Sequence, residues 1–304
     1  MFATPSLAGR RVLITGAARS IGALLAERLH ERGARVALVG LEPELLAEVA
    51  GRCGDAPWAE CDVSDREQVD RAVEAMVAAL GGLDVVVANA GIAAQMPIIG
   101  GDPGVMEATL AVNTLGCYYT LRAAGPHLSH RHGYALATSS MAAVVHLPLM
   151  AAYSASKAGV EAIGNTLRIE LRPSGARAGV AYFSELDTDM TTRGFGTEAA
   201  KAMLGDGSFT RITPVSHAID ALERGIARRS RRIVVPRVLA PVLPVRMAAQ
   251  RVIDVAARRN LRKGLEIARR ERPGLTTEQP GRGGSDSSDS SGTGEGGGEA
   301  GSGR

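Results

Sequence analysis

The chain has 304 residues, 45% of them hydrophobic, and a formal net charge of +3. This is enough for one large α/β domain or two small ones, and too little charge for a polyanion-binding surface over the whole chain, so nucleic acid is excluded as a partner. No run of about 18 apolar residues exists to span a bilayer, and Cys53, Cys61 and Cys117 are odd in number and lack metal-ligand spacing, so reduced thiols and no metal site are expected.

In chain order, residues 11–15 (R-V-L-I-T) read as a short buried strand, followed by a loop over 16–22 and a helix over 21–32 with Leu24, Leu25 and Leu29 at helical period. Residues 35–39 form a second strand, 44–52 a helix, and 56–60 a weak strand. A well-patterned helix covers 65–80, with Val69, Val73, Met76 and Val77 on one side and Ser64 as its expected N-cap. Residues 83–88 are a strand apolar on both faces. This alternation predicts a doubly wound parallel sheet with helices on both sides. It continues as a helix over 105–121, a strand over 134–138, a helix over 152–171 ended by Pro173, a strand over 179–183, a helix over 214–228 and a last strand over 232–235. Residues 190–213 are Gly-rich without a clear period, and a mobile lid over the substrate is expected there.

After Val235 the character changes. Pro236, Pro241 and Pro244 interrupt an apolar run, and an Arg-rich segment follows to Arg272. Val252, Val255, Ala256, Leu261, Leu265 and Ala268 give that segment an apolar stripe. It reads as a helix packed on the domain or on a second subunit, or as a basic amphipathic helix making weak contact with a membrane surface through 245–272. From Pro273 the chain is mostly Gly and Ser and is expected to be disordered. The resulting division is a catalytic domain over 1–235, a helical arm over 236–272 and a tail over 273–304. The N-terminus lacks an apolar core of signal-peptide length, so a cytoplasmic protein is expected.

Two stretches carry chemistry. T-G-A-A-R-S-I-G, residues 15–22, sits between the first strand and the first helix. Gly16 allows a tight turn and Gly22 close backbone approach, while the amides at the helix start face a pyrophosphate with the helix dipole behind them. Where an NAD site usually has an acid at the end of the second strand, Gly40 and Leu41 stand, and Glu42 comes slightly late. Arg19 could then pair with a 2′-phosphate, which favours NADP(H) and leaves NAD(H) possible. The second stretch is residues 140–157, S-M-A-A-V-V-H-L-P-L-M-A-A-Y-S-A-S-K. On a helix, Tyr153 and Lys157 lie one turn apart on one face. A phenol titrates near ~10, and a neighbouring ammonium lowers that value. Lys157 is the first of only three lysines, the others being Lys201 and Lys263, in a chain that otherwise writes Arg. Ser140 could donate to a carbonyl oxygen that gathers negative charge.

These motifs resemble those of the short-chain dehydrogenase/reductase family, from about Ala8 to Val235. The glycine loop, Asn89-Ala90-Gly91, and Tyr153 to Lys157 match in order and spacing, as do Asn113, Ser140 and the acidic Asp62 in C-D-V-S. The resemblance implies a single Rossmann-like domain with Asn113, Ser140, Tyr153 and Lys157 as the catalytic set. It implies cofactor contacts from Gly16, Arg19, Ser20, Ile21, Gly22, Asp62, Val63, Asn89, Ala90, Gly91, Tyr153, Lys157 and Thr188. Tyr153 would be the general acid in reduction and the base in oxidation. Lys157 would bind the nicotinamide ribose and lower the tyrosine pKa, Ser140 would hold the substrate oxygen, and Asn113 would support a proton relay. From the residues alone, Asp62, Asn89 and Asn113 read equally well as turn or helix polar positions. Two positions depart from the family: Ser20 replaces the loop's middle glycine, and Phe183-Ser184 replaces a Pro-Gly.

The expected activity is interconversion of a carbonyl and a secondary alcohol. Met141, His146, Leu149, Met150 and the lid from Met190 form the expected substrate wall, which suggests a lipophilic small molecule. Family members commonly form dimers or tetramers, and Ala155, Ala158, Gly159 and Ala162 give the helix bearing Tyr153 a small-residue face suited to packing on a second copy. The rival reading is a nucleotide-sensing regulatory protein on the same fold with little turnover.

Overall fold

Seven parallel strands form one sheet in the order β3-β2-β1-β4-β5-β6-β7. The structure is a computed structural model, and it describes residues 5–204, 212–271, 274–277 and 279. The strands are β1 (Arg11–Thr15), β2 (Arg35–Gly40), β3 (Trp58–Glu60), β4 (Val85–Ala88), β5 (Tyr134–Ser140), β6 (Arg177–Phe183) and β7 (Arg232–Val235). Helices α1 (Ser20–Glu31), α2 (Pro43–Arg52), α3 (Arg66–Leu80), α4 (Pro103–Leu110), α5 (Gly116–Leu128), α6 (Ala151–Glu170), α7 (Glu198–Leu204) and α8 (Val215–Arg228) connect them, and α9 (Arg246–Ala256) and α10 (Leu261–Ala268) follow β7.

Side chains alternate across β1 because a strand's period is two. Val12 and Ile14 join one core with Leu25, Leu29, Leu38, Leu222 and Ile226, on the side of α1 and α8. Leu13 joins the opposite core with Val73, Val77, Val86 and Leu121, on the side of α3 and α5. Both faces of the sheet are therefore buried, which is why its strands read as continuous apolar runs. The chain leaves β1 towards β2 and β3, then returns to place β4 on the other side of β1. At this switch point the connections diverge and leave a crevice at the carboxyl ends of the strands.

Several sequence expectations are corrected. The cap of α3 is Asp65, not Ser64: its carboxylate accepts from the amides of Glu67 and Gln68 at 2.8 and 3.1 Å. The helix expected over 105–121 starts earlier, where Asp102 caps Gly104, and runs on to Leu128 with a π turn over Ala111–Leu115. The proposed lid holds a π turn, Met190–Gly194, and helix α7; its residues 205–211 lie outside the described residues. The carboxylate of Glu271 caps α7, accepting from the amides of Glu198 and Ala199 at 2.8 and 3.0 Å. The small-residue face of α6 is divided: Ala155 and Ala162 are exposed, but Ala158 packs against an internal cluster and Gly159 lies against Thr114. Of the tail, only 274–277 and 279 are described. Residue 276 is anchored there, its amide donating to the Ala93 carbonyl and its hydroxyl accepting from the Ala93 amide, at 3.2 and 3.1 Å.

Candidate active site

The carboxyl ends of the strands open into a cleft of about 510 Å³. Every residue of the expected catalytic and cofactor sets lines it except Asn113 and, at the glycine turn, Gly22. At one end, the turn after β1 is held by contacts that only glycine allows. Gly16 has φ +64°, and a Cβ there would stand 2.7 Å from the Ala90 Cα; a Cβ on Gly22 would stand 2.0 Å from the Gly16 carbonyl oxygen. Ser20 starts α1 with φ +51°, a left-handed conformation that explains why glycine is expected in its place. Thr15, whose role the glycine pattern does not reveal, fastens the loop to the strand end opposite. Its hydroxyl accepts from the amides of Asn89 and Ala90 at 3.1 and 3.3 Å, while Asn89 Nδ2 donates to the carbonyls of Thr15 and Gly16.

Two groups beyond β2 and β3 differ from expectation or extend it. Glu42, slightly late for the ribose position, lines the cleft and forms an ion pair with Arg19, whose Nε stands 3.0 Å from Oε2. As the N-cap residue of α2, Glu42 is extended (φ −114°) and lies just past the strand end. Asp62 accepts from the Ser64 amide at 2.8 Å, and its own amide donates to Gln68 Oε1. Val63 beside it packs on Gly116, where a Cβ would stand 2.7 Å from Val63 Cγ2.

At the other end, Tyr153 and Lys157 both face the cleft from α6 and are buried. Lys157 Nζ donates to the Thr138 carbonyl at 2.9 Å and lies 5.7 Å from the centre of the Tyr153 ring. Burial pushes the Tyr153 phenol up to about 12, partly offset by a hydrogen bond with Ser140; burial pushes Lys157 down to about 8. The Lys157 ammonium is turned to the β5 backbone, so burial is the dominant influence on the phenol. Ser140 donates to the Phe183 carbonyl at 3.1 Å and accepts from the Ala142 amide at 3.1 Å. Phe195, from the segment read as a lid, packs edge-on against Tyr153 with ring centres 5.2 Å apart.

Asn113 sits behind this pair, in the π turn. Its Oδ1 accepts from the Ile92 amide at 2.8 Å, and its Nδ2 donates to the Ile92 carbonyl and to Ser156 Oγ, both at 2.9 Å. Asn113 and Lys157 converge on Gly91, where a Cβ would stand 3.2 Å from both Asn113 Oδ1 and Lys157 Nζ. Thr188 lies on the far wall, 3.5 Å from Thr191 between hydroxyls. Of the expected substrate wall, Met141, Met150 and Met190 line the cleft. His146 and Leu149 do not: His146 has its backbone bonded to Gln250, and Leu149 is packed against Ala199 and Ala268. Among the described residues, no three His, Cys, Asp or Glu side chains cluster as metal ligands do. No helix of the described residues is long and apolar enough to cross a membrane.

The family model described as short chain dehydrogenase matches residues 10–199. A D-threitol dehydrogenase of Mycolicibacterium smegmatis is 35% identical over 176 residues, 56% of this chain and 68% of that protein. The 11-beta-hydroxysteroid dehydrogenase-like protein 2 of Arabidopsis thaliana is 30% identical over 256 residues, 82% of this chain and 80% of its own length. Among solved structures, a short chain dehydrogenase/reductase from Burkholderia phymatum in complex with NAD has the same fold, with a TM-score of 0.71 and 21% identity over 83% of this chain and 96% of that one.

Proposed function

The chain belongs to the short-chain dehydrogenase/reductase family and is an oxidoreductase acting on CH–OH donors; from that premise we propose that it interconverts a lipophilic ketone and its secondary alcohol, with Tyr153 moving the proton. The observation that carries this reading is the convergence of Ser140, Tyr153 and Lys157 on one end of a cleft whose other end is a glycine-built phosphate turn. The cleft's residues fit a nicotinamide dinucleotide. The bare backbone at Gly16 and Gly22 leaves room for a pyrophosphate, and the N-cap Arg19 offers the first amides of α1 no side-chain acceptor that would compete with it. When bound, such a dinucleotide supplies or takes the hydride. Asn89, Ala90 and Gly91 with Asp62 and Val63 would flank it, and Thr188 would meet it from the far wall.

In reduction, the phenol of Tyr153 gives its proton to the substrate oxygen. With its pKa pushed up to about 12, it remains protonated and ready to donate at neutral pH. Ser140 holds the same oxygen once its hydroxyl turns away from the Phe183 carbonyl. The Lys157 ammonium adds positive charge next to the developing phenolate. Asn113 fixes the π turn and the backbone at Ile92, next to Gly91. Met141, Met150, Met190 and Phe195 exclude water around the reacting carbon.

For the cofactor, we propose NADP(H) as the preferred form, with NAD(H) accepted. Arg19 is the cation a 2′-phosphate would meet, but Glu42 now holds it and repels that phosphate, so the preference is modest. Fluorescence titration tests this: Glu42→Gln should tighten NADPH relative to NADH by about tenfold, and Arg19→Ala should abolish the preference. An unchanged ratio in both variants rejects it. The activity itself is tested by NADPH oxidation against a panel of lipophilic ketones and aldehydes. Tyr153→Phe should lose about a hundredfold or more in turnover while still binding cofactor. Wild-type protein that binds cofactor tightly and reduces nothing would favour the sensor reading.

A second reading concerns the arm. Met247 and Val255 are 79% and 64% exposed, and Arg251 lies between them at four-residue spacing on α9. This supports weak contact with an anionic membrane surface, tested by co-sedimentation with liposomes. The proposed oligomeric state is a homodimer or homotetramer, and the proposed location is cytoplasmic.

A further inference from the structure

Everything after β7 lies outside the family match, which ends at residue 199, and none of the catalytic roles above falls there. Yet this part of the chain is tied to the domain around the cleft at four separate points. Arg246 at the start of α9 makes a two-pronged ion pair with Glu161, Nη2 to Oε1 at 2.7 Å and Nη1 to Oε2 at 3.2 Å. Glu161 is buried, lies one helical turn beyond Lys157 on α6, and also accepts from the Tyr182 hydroxyl at 3.1 Å. One turn further along α9, Gln250 accepts from the His146 amide at 2.7 Å and donates to the His146 carbonyl at 3.1 Å. Past α10, Glu271 caps α7. Last, Thr276 bonds both backbone groups of Ala93, close behind the Asn89–Gly91 turn, and a Cβ on Gly194 would stand 2.7 Å from its methyl.

Held in this way, α9 turns Ala249, Val252 and Ile253 onto the cleft wall, and Thr276, next to Gly194 of the lid segment, lines the same cleft. We propose that the C-terminal arm, with Thr276 just beyond it, is the roof of the substrate end of the cleft, so that Val252, Ile253 and Thr276 select an extended apolar substrate, with the Arg246–Glu161 and Gln250–His146 clips as positioning contacts. The inference rests on the oxidoreductase reading of the cleft and adds what sets its substrate range. The physical reason is plain. The domain gives the cleft an apolar wall that includes Val145, Leu147, Met150 and Met190, and the arm adds Ala249, Val252 and Ile253 to the same cleft. A hydrophobic wall discriminates by the methylene groups it can cover, each worth roughly tenfold or more in selectivity. A short ketone needs only the Ser140–Tyr153 end, while a long one must run under α9.

The test uses the full chain saturated with NADPH. Butan-2-one and decan-2-one are compared with wild type, Ile253→Gln, Arg246→Met and Thr276→Val, by steady-state kinetics and by calorimetric binding of decan-2-one. The expected result is a KM for decan-2-one raised about tenfold in the first two variants, with kcat on butan-2-one and NADPH affinity within about twofold of wild type. Thr276→Val should move in the same direction by a smaller factor. Equal loss on both ketones in Ile253→Gln and Arg246→Met, or no loss on either, overturns the roof. Calorimetry separates this from failure of the carbonyl-reduction reading. If wild type binds decan-2-one without turning any ketone over and the variants lose that binding, the roof stands and carbonyl reduction falls. If wild type neither binds nor reduces decan-2-one, the roof is wrong.

Discussion

Tyr153, the proposed proton donor, sits in an environment that opposes ionisation. Buried and pushed up to about 12, it keeps its proton through the whole neutral range. The sign of the pH dependence follows. Reduction uses the protonated phenol beside the Lys157 ammonium, so over about pH 6 to 9 its kcat/KM should be flat at the acid end and decline as the pH passes about 8, where Lys157 loses its proton. Oxidation uses the phenolate, whose population grows about tenfold per pH unit below the pKa, so its kcat/KM should climb steeply over the same range. Initial rates in both directions in one buffer series check this, and a falling oxidation profile would contradict it. Ser20 poses a smaller question. A left-handed backbone costs a residue with a Cβ about 1–2 kcal/mol, whereas glycine costs about 0.5–1 kcal/mol more in chain entropy. The strain outweighs the entropy, so Ser20→Gly should stabilise the protein by less than ~1 kcal/mol, visible as a Tm rise of about 2 °C in calorimetry.

Among the elements, the turn from β1 to α1 is legible in the sequence because its glycines are set by local backbone contacts: Gly22 must pass close to the Gly16 carbonyl whatever the rest of the chain does. Gly22→Ala should therefore cost both stability and cofactor affinity, measured by thermal melting and NADPH titration. Tyr153 and Lys157 are legible because helical period alone puts them on one face. Asn113 is not legible from its residue type, since its role depends on a π turn and on Ile92, 21 residues earlier in the chain. Asn113→Leu leaves the buried amide and carbonyl of Ile92 unpaired, at a cost of about 2–4 kcal/mol; a large drop in Tm with the fold retained by circular dichroism is expected. Glu42 looks slightly late when strand ends are counted in residues, and that count does not reveal that the extended turn before α2 brings its carboxylate back to Arg19. The arm misleads in a similar way. Its apolar stripe suggests a single face, but Val252 and Ala268 are turned to different neighbours, the cleft and the cluster that includes Ala199 of α7.

At the scale of the whole molecule, α6 and α5 still leave apolar surface uncovered. Leu115 and Tyr118 are 44% and 47% exposed, Ile169 is 57% exposed, and Ala155 and Ala162 lie open on α6. We expect a second copy to cover this surface. Light scattering at micromolar concentration should give two or four times the chain mass, and Tyr118→Glu should shift it towards the monomer; a monomeric wild type rejects the expectation. The strand order has a further consequence for how the chain reaches this state. Of the seven strands of this sheet β1 comes first in the chain, yet it lies in the middle of the sheet, between β2 and a β4 whose Val85 pairs with Val12 from far along the chain. Its second edge must wait for that distant partner. Assembly is thus governed by late, long-range pairing, which makes for refolding on the millisecond-to-second scale and a period when a naked apolar ribbon is open to aggregation.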